Sequence, residues 1–157
     1  MVKEVADWVI IGHSERRKYF GETDQQLQKK VEQAKLAGLK VIYCVPDDTT
    51  TVPDGVDVVA YEPVWAIGTG DIATTDQAIA AAKVIRSEVR ELYGDKAADG
   101  LRVLYGGSVK PEFVQGFLST NEINGLLVGG ASLNYKQFSE IVNNTYRVAH
   151  NIRSKDD

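Results

Sequence analysis

The sequence predicts an α/β domain built on five parallel strands. Short apolar runs alternate with longer stretches of helical periodicity. The runs are near-continuous rather than alternating, as expected of strands covered by helices. Strict βα alternation then implies parallel pairing with right-handed crossovers. A length of 157 residues suits one domain, expected over residues 1–150 with a polar tail at 151–157. The formal net charge of −4 gives no general attraction to nucleic acid or anionic membrane. Hydrophobic residues at 43% and charged residues at 25% suit a packed core. No apolar run approaches the ~20 residues of a membrane span. The first residues place Glu4 and Asp7 where a signal peptide would be apolar. A single cysteine, Cys44, excludes an intrachain disulfide and a cluster of cysteine metal ligands. The expectation is a cytoplasmic protein without a metal site.

Each element has its own signal. Trp8-Val-Ile-Ile is the first strand, ending at Gly12-His13. Residues 22–39 read as a helix: Thr23 with Gln26 forms a capping box, Leu27, Val31 and Ala34 mark the buried face, and Gly38 closes it. Residues 40–45 and 56–61 are the second and third strands. The segment between them, with two prolines and three threonines, reads as a crossover without a full helix. Thr75 is the expected cap of a long helix to about Tyr93, with Ile79, Ala82, Ile85, Val89 and Leu92 apolar and Gly94 at its end. Residues 101–105 form the fourth strand. Pro111 opens a short helix with Phe113, Val114 and Phe117 apolar. Residues 124–128 form the fifth strand, and a last helix is expected over 135–149 with Phe138, Ile141, Val142 and Val148 inward.

The residues suited to chemistry all follow strand ends, the edge that carries the site in parallel α/β folds. His13 is able to donate a hydrogen bond or move a proton, and a helix start downstream would favour its neutral form. It also fits a satisfied histidine beside a charged helix start. Glu62 fits a general base of tuned pKa or an ion-paired glutamate. The stiff Pro63-Val-Trp followed by Ala66-Ile-Gly-Thr-Gly suits a lid, or a plain glycine-rich loop. Gly106-Gly107-Ser108 and Gly129-Gly130 suit a phosphate cradle of bare amides at helix starts, or tight turns. Cys44 reads as a small buried residue, and Lys29-Lys30 and Arg16-Arg17 as solvated faces or ion pairs.

Four motifs in one order carry a family resemblance: WVIIGHSERR (8–17), AYEPVWAIGTG (60–70), YGGSV (105–109) and LVGGASL (127–133). The chain resembles the C-terminal five βα units of triosephosphate isomerases, from near residue 1 to about 149. The resemblance implies a partial (β/α)8 barrel with one crossover helix shortened to a loop. It implies interconversion of dihydroxyacetone phosphate and glyceraldehyde 3-phosphate without metal or organic cofactor. In that pattern Glu62 matches the base, His13 the neutral electrophile and Glu15 a supporting acid near the site. Residues 63–73 match the lid, and Gly68, Ser108, Gly129 and Gly130 the contacts to phosphate.

The departures are specific. A full barrel has eight units, and no residue here matches the asparagine and lysine that the family draws from its first strand. The family's third unit, whose loop meets the partner subunit, has no counterpart either. Val45-Pro46-Asp47 stands where a glycine and glutamate lead into a full helix, and Asp71-Ile72-Ala73 replaces a lysine-led triplet. Five strands without three neighbours expose two sheet edges and an apolar face. The expected partners are therefore a small phosphorylated triose, plus a second copy or a complementary N-terminal fragment, with no nucleic acid or membrane. A rival reading is an inactive scaffold or phosphate-binding remnant that needs such a complement.

Overall fold

The computed structural model describes residues 2–66 and 73–153. Five strands form one sheet in the order of the chain: β1 (Trp8–Ile11), β2 (Lys40–Val45), β3 (Val58–Tyr61), β4 (Arg102–Tyr105) and β5 (Gly125–Leu126). Every neighbouring pair is parallel. The helices are α1 (Ser14–Phe20), α2 (Asp24–Leu36), α3 (Thr75–Tyr93), α4 (Asp95–Gly100), α5 (Val114–Leu118) and α6 (Tyr135–Arg153). This is the expected partial barrel: consecutive strands lie side by side, with helical segments following β1, β3, β4 and β5.

Local chemistry accounts for the helix ends. Thr23 and Gln26 make the predicted reciprocal capping box at α2, and Gly38 follows the helix at φ +75°. At α3 the cap is Thr74, one residue before the expected Thr75, because Gln77 is the side chain that reaches back to it. Pro111 opens a 3₁₀ turn, Pro111–Phe113, that leads into α5. The short helices α1 and α4 were not legible. Neither presents an apolar period, and α1 contains no fully buried residue. The last helix runs to Arg153, past the expected end at Ala149, so 151–153 are helical; residues 154–157 lie outside the described residues.

The shortened crossover is confirmed, since no helix separates β2 from β3. One Asp47 carboxylate oxygen accepts from the Thr49 amide and from the Thr49 and Thr50 hydroxyls, which folds the segment on itself. Val52 then does the covering a helix would do. It is buried in the core, and the Tyr93 hydroxyl donates to its carbonyl at 2.8 Å. Asp57 closes the loop, accepting from the Val41 amide and Lys35. Cavities of about 290 and 280 Å³ flank this substitute.

Strand alternation sorts the side chains onto two faces. Ile11, Val41, Tyr43, Val45, Val59, Tyr61, Val103 and Tyr105 join Leu27, Val31, Ile85, Val89, Val114 and Phe117 in one core on the helix side. The opposite face carries Trp8, Ile10, Ile42, Cys44, Val58, Ala60 and Leu104, none of which belongs to that core. At the β1 edge it is open: Trp8 is 43% and Ile10 46% exposed. Phe138 and Val142, expected inward, are also exposed, as are the apolar Phe113 and Leu92. Within α6, Ile141 faces the core while Phe138 and Val142 lie on another face of the helix, which no described element covers. Among the described residues no helix is long and apolar enough to cross a membrane.

Candidate active site

The chain leaves the C-terminal ends of all five strands on one edge of the sheet, as parallel pairing requires. His13 follows β1, Cys44 lies near the end of β2, Glu62 follows β3, residues 106–108 follow β4 and residues 129–130 follow β5. The structure brings His13 and Glu62 together. His13 Nε2 lies 3.1 Å from Glu62 Oε1, and the Ser14 amide donates to Glu62 Oε2 at 2.9 Å.

Helix α1 sets the histidine. His13 is its N-cap, and Nδ1 accepts the Glu15 amide at 3.3 Å. A nitrogen that accepts an N–H carries no proton, so the ring proton sits on Nε2 and points at Glu62. Glu15 acts here through its backbone. Its exposed carboxylate stands 4.0 Å from Nδ1, beyond hydrogen-bond range.

Glu62 is 2% exposed and is the sole charged residue among the described residues in the buried class. Burial pushes its carboxyl above the ordinary glutamate value, against the opposing pull of the Ser14 amide, His13 and the Cys44 thiol. Cys44 is completely buried, as expected, and burial together with the Glu62 charge pushes its thiol far up, so it is no nucleophile. The pair thus offers an Nε2–H donor and a carboxylate that holds a proton more readily than usual.

The glycine pairs differ in what they do. A Cβ on Gly106 would lie 2.9 Å from Glu62 Cγ, and one on Gly107 2.3 Å from the Tyr105 hydroxyl. These two glycines make room for the site's own side chains, and the chain beyond them bends before its 3₁₀ turn rather than entering a helix directly. The segment is followed by a 3₁₀ turn, Pro111–Phe113, rather than directly by an α-helix. At Gly129 and Gly130 a Cβ would meet nothing within 4 Å, and Gly130 opens a 3₁₀ turn, Gly130–Leu133. Ser108 is half-buried on the same edge. Gly68 and the rest of 67–72, where the tip of a lid is expected, lie outside the described residues.

Two residues escaped the sequence reading. Ser14 carries no signal of its own beyond its place in a motif, yet its amide holds the Glu62 carboxylate. Tyr105 reads as a strand residue, but its fully buried hydroxyl has no well-formed hydrogen bond and faces the backbone of Ala73. Its only sequence signal is a tyrosine immediately before Gly-Gly. Replacing Gly106 by alanine is expected to push Glu62 off His13. The checks are a changed pH dependence of His13 by NMR and a stability loss of about 1–3 kcal/mol by urea unfolding.

The family model for triosephosphate isomerase matches residues 1–55 and 53–145. The chain belongs to the triosephosphate isomerase family. The triosephosphate isomerase of Clostridium tetani is 46% identical over 160 residues, covering 87% of this chain and 63% of that protein. Those of Geobacter metallireducens and Trichlorobacter lovleyi are 47% and 48% identical, covering 86% and 85% of this chain and 63% and 62% of theirs. The chain therefore spans about 63% of the length of these triosephosphate isomerases. The first alignment spans more positions, 160, than the 87% of this chain it takes in, so the relative carries residues that this chain lacks. The family model's two matches meet at residues 53–55, within the shortened crossover.

Proposed function

We propose that this chain carries the proton-transfer half of a triosephosphate isomerase site, interconverting dihydroxyacetone phosphate and glyceraldehyde 3-phosphate. The observation that carries this reading is the His13 Nε2–Glu62 Oε1 contact of 3.1 Å, with Nδ1 occupied by the Glu15 amide. Glu62 takes a proton from the carbon beside the substrate carbonyl and returns it to the neighbouring carbon. His13 donates its Nε2 hydrogen bond to the oxygen on which charge develops in the enediolate. Glu62 accepts that N–H in the substrate-free site, so substrate oxygen replaces the carboxylate as its acceptor. Gly68, Ser108, Gly129 and Gly130 hold the phosphate, and Glu15 supports the histidine. No cofactor enters the steps.

The reading includes a partner. Trp8 and Ile10 on the β1 edge, and Phe138, Val142 and Tyr146 on α6, offer apolar surface at both ends of the sheet. The occupant that fits is the set of three βα units that the relatives carry and this chain does not match, in whichever polypeptide they reside. Those units bring the family's lysine, a cation for an anionic intermediate. Setting is the cytoplasm. The test mixes the chain with a polypeptide of the three N-terminal units from the Geobacter metallireducens relative and measures isomerase turnover and mass by light scattering. A heterodimer with turnover is expected. A heterodimer without turnover favours the scaffold reading, and a stable monomer that ignores the fragment overturns the partner.

A further inference from the structure

The β1–β2 ladder ends at the Ile11 and Tyr43 pair. At the next residue, Gly12, φ turns to +83° and the chain swings away toward α1. A Cβ there would lie 2.9 Å from the Cys44 carbonyl oxygen, so the two strand ends remain close although their hydrogen bonding has stopped. The Gly12 and Cys44 carbonyls are left beyond the ladder. The Arg17 guanidinium, 17% exposed, fills this place.

Its bonds are distributed in an ordered way. Nε donates to the Gly12 carbonyl at 2.9 Å, Nη2 to the Tyr43 hydroxyl at 3.2 Å and to the Cys44 carbonyl at 3.4 Å, and Nη1 pairs with Asp24 at 2.6 Å. The Arg17 amide also donates to the His13 carbonyl, at 3.2 Å. The Gly12 carbonyl belongs to the peptide before His13 and the His13 carbonyl to the peptide after it. The Arg17 side chain thus anchors the peptide plane before the histidine, while the backbone amides of Arg16 and Arg17, in the first turn of α1, hold the plane after it. The same guanidinium reaches the Cys44 carbonyl, on the residue whose thiol lies against Glu62. A planar fork with several fixed donors serves these acceptors together, whereas a lysine ammonium would not.

We infer that Arg17 is a positioning residue that holds the His13 ring in the orientation presenting Nε2–H to Glu62. This deepens the isomerase reading of the same site, and its test does not depend on turnover. The chain has two histidines, His13 and His150, so ring-nitrogen NMR of the full chain labelled in histidine resolves both. The parent is expected to show His13 as one neutral tautomer, protonated at Nε2. Arg17→Lys keeps the charge and loses the fork. Its expected result is that both His13 nitrogens move toward the averaged values of mixed tautomers, with His150 unmoved. A lower melting temperature with unmoved His13 resonances would show a merely structural role and overturn the inference. If Arg17→Lys does not fold, Asp24→Ala carries the test, since Asp24 is exposed and its truncation takes away only the Nη1 acceptor. Exchange broadening confined to His13 supports the inference, and unchanged His13 lines overturn it. Absent turnover of the completed barrel alongside the tautomer shift would count against the isomerase reading alone.

Discussion

Glu62→Gln is expected to lower isomerase turnover of the completed barrel by about 10²–10⁴-fold, the usual contribution of a positioned general base. The amide oxygen still accepts from the Ser14 amide, so the loop geometry survives. The amide nitrogen then faces His13 Nε2–H, setting donor against donor. Absolute stability therefore mixes two effects, and the cleaner readout is its pH slope. Burial raises the native pKa of Glu62 above its unfolded value of about 4.3. Between those values the native state binds more protons than the unfolded state, so stability falls as pH rises through that window. Above the native value the cost is complete. Glu22 has the opposite sign: hydrogen bonds from Arg16 and Lys30 lower its pKa, and its contribution fades on acidification. Subtracting the variant's curve from the parent's isolates Glu62. Urea unfolding across that range is expected to show a difference that grows with pH and then levels. A difference flat in pH would mean that the carboxyl titrates alike in both states.

Phe117→Ala is expected to cost about 3–5 kcal/mol, the range for deleting a buried aromatic ring. Phe117 is 1% exposed and stacks on the fully buried Tyr105, with centroids 4.2 Å apart and planes 16° from parallel. Against a typical total of about 5–15 kcal/mol, this loss leaves little margin. Its effect reaches the site. Tyr105 is wedged between this ring and Gly107, whose missing Cβ is what admits its hydroxyl, and Pro63 closes on the same glycine. Losing the stack frees Tyr105 to move and loosens the segment immediately after Glu62. Urea unfolding measures the loss. A loss below about 1 kcal/mol would show that α5 collapses into the vacancy.

The five strands were legible because burial behind helices demands continuous apolar runs, and parallel order followed from alternation. The capping box of α2 was legible as well, since a threonine and a glutamine three residues apart carry its whole chemistry. The helices α1 and α4 were not, because short segments without an apolar face leave no period. Phe138 and Val142 were misplaced for a related reason. Periodicity shows that a helix has an apolar stripe, and it does not show whether anything lies opposite.

By itself, the sequence determined the five parallel strands, the missing crossover helix, and the residues at the strand ends where His13, Glu62 and the glycines stand. Only the tertiary structure decided how they act together. It placed Nδ1 on the Glu15 amide and so put the ring proton on Nε2. It buried Glu62 and held it through Ser14, and it showed Gly106 and Gly107 to be space for Glu62 and Tyr105. Residue type sets which protons a side chain is able to hold, and spacing sets where it falls along the chain. How readily Glu62 holds its proton depends on burial and on neighbours brought from 48 residues away, as Ser14 is, and that is settled only when the strands pack.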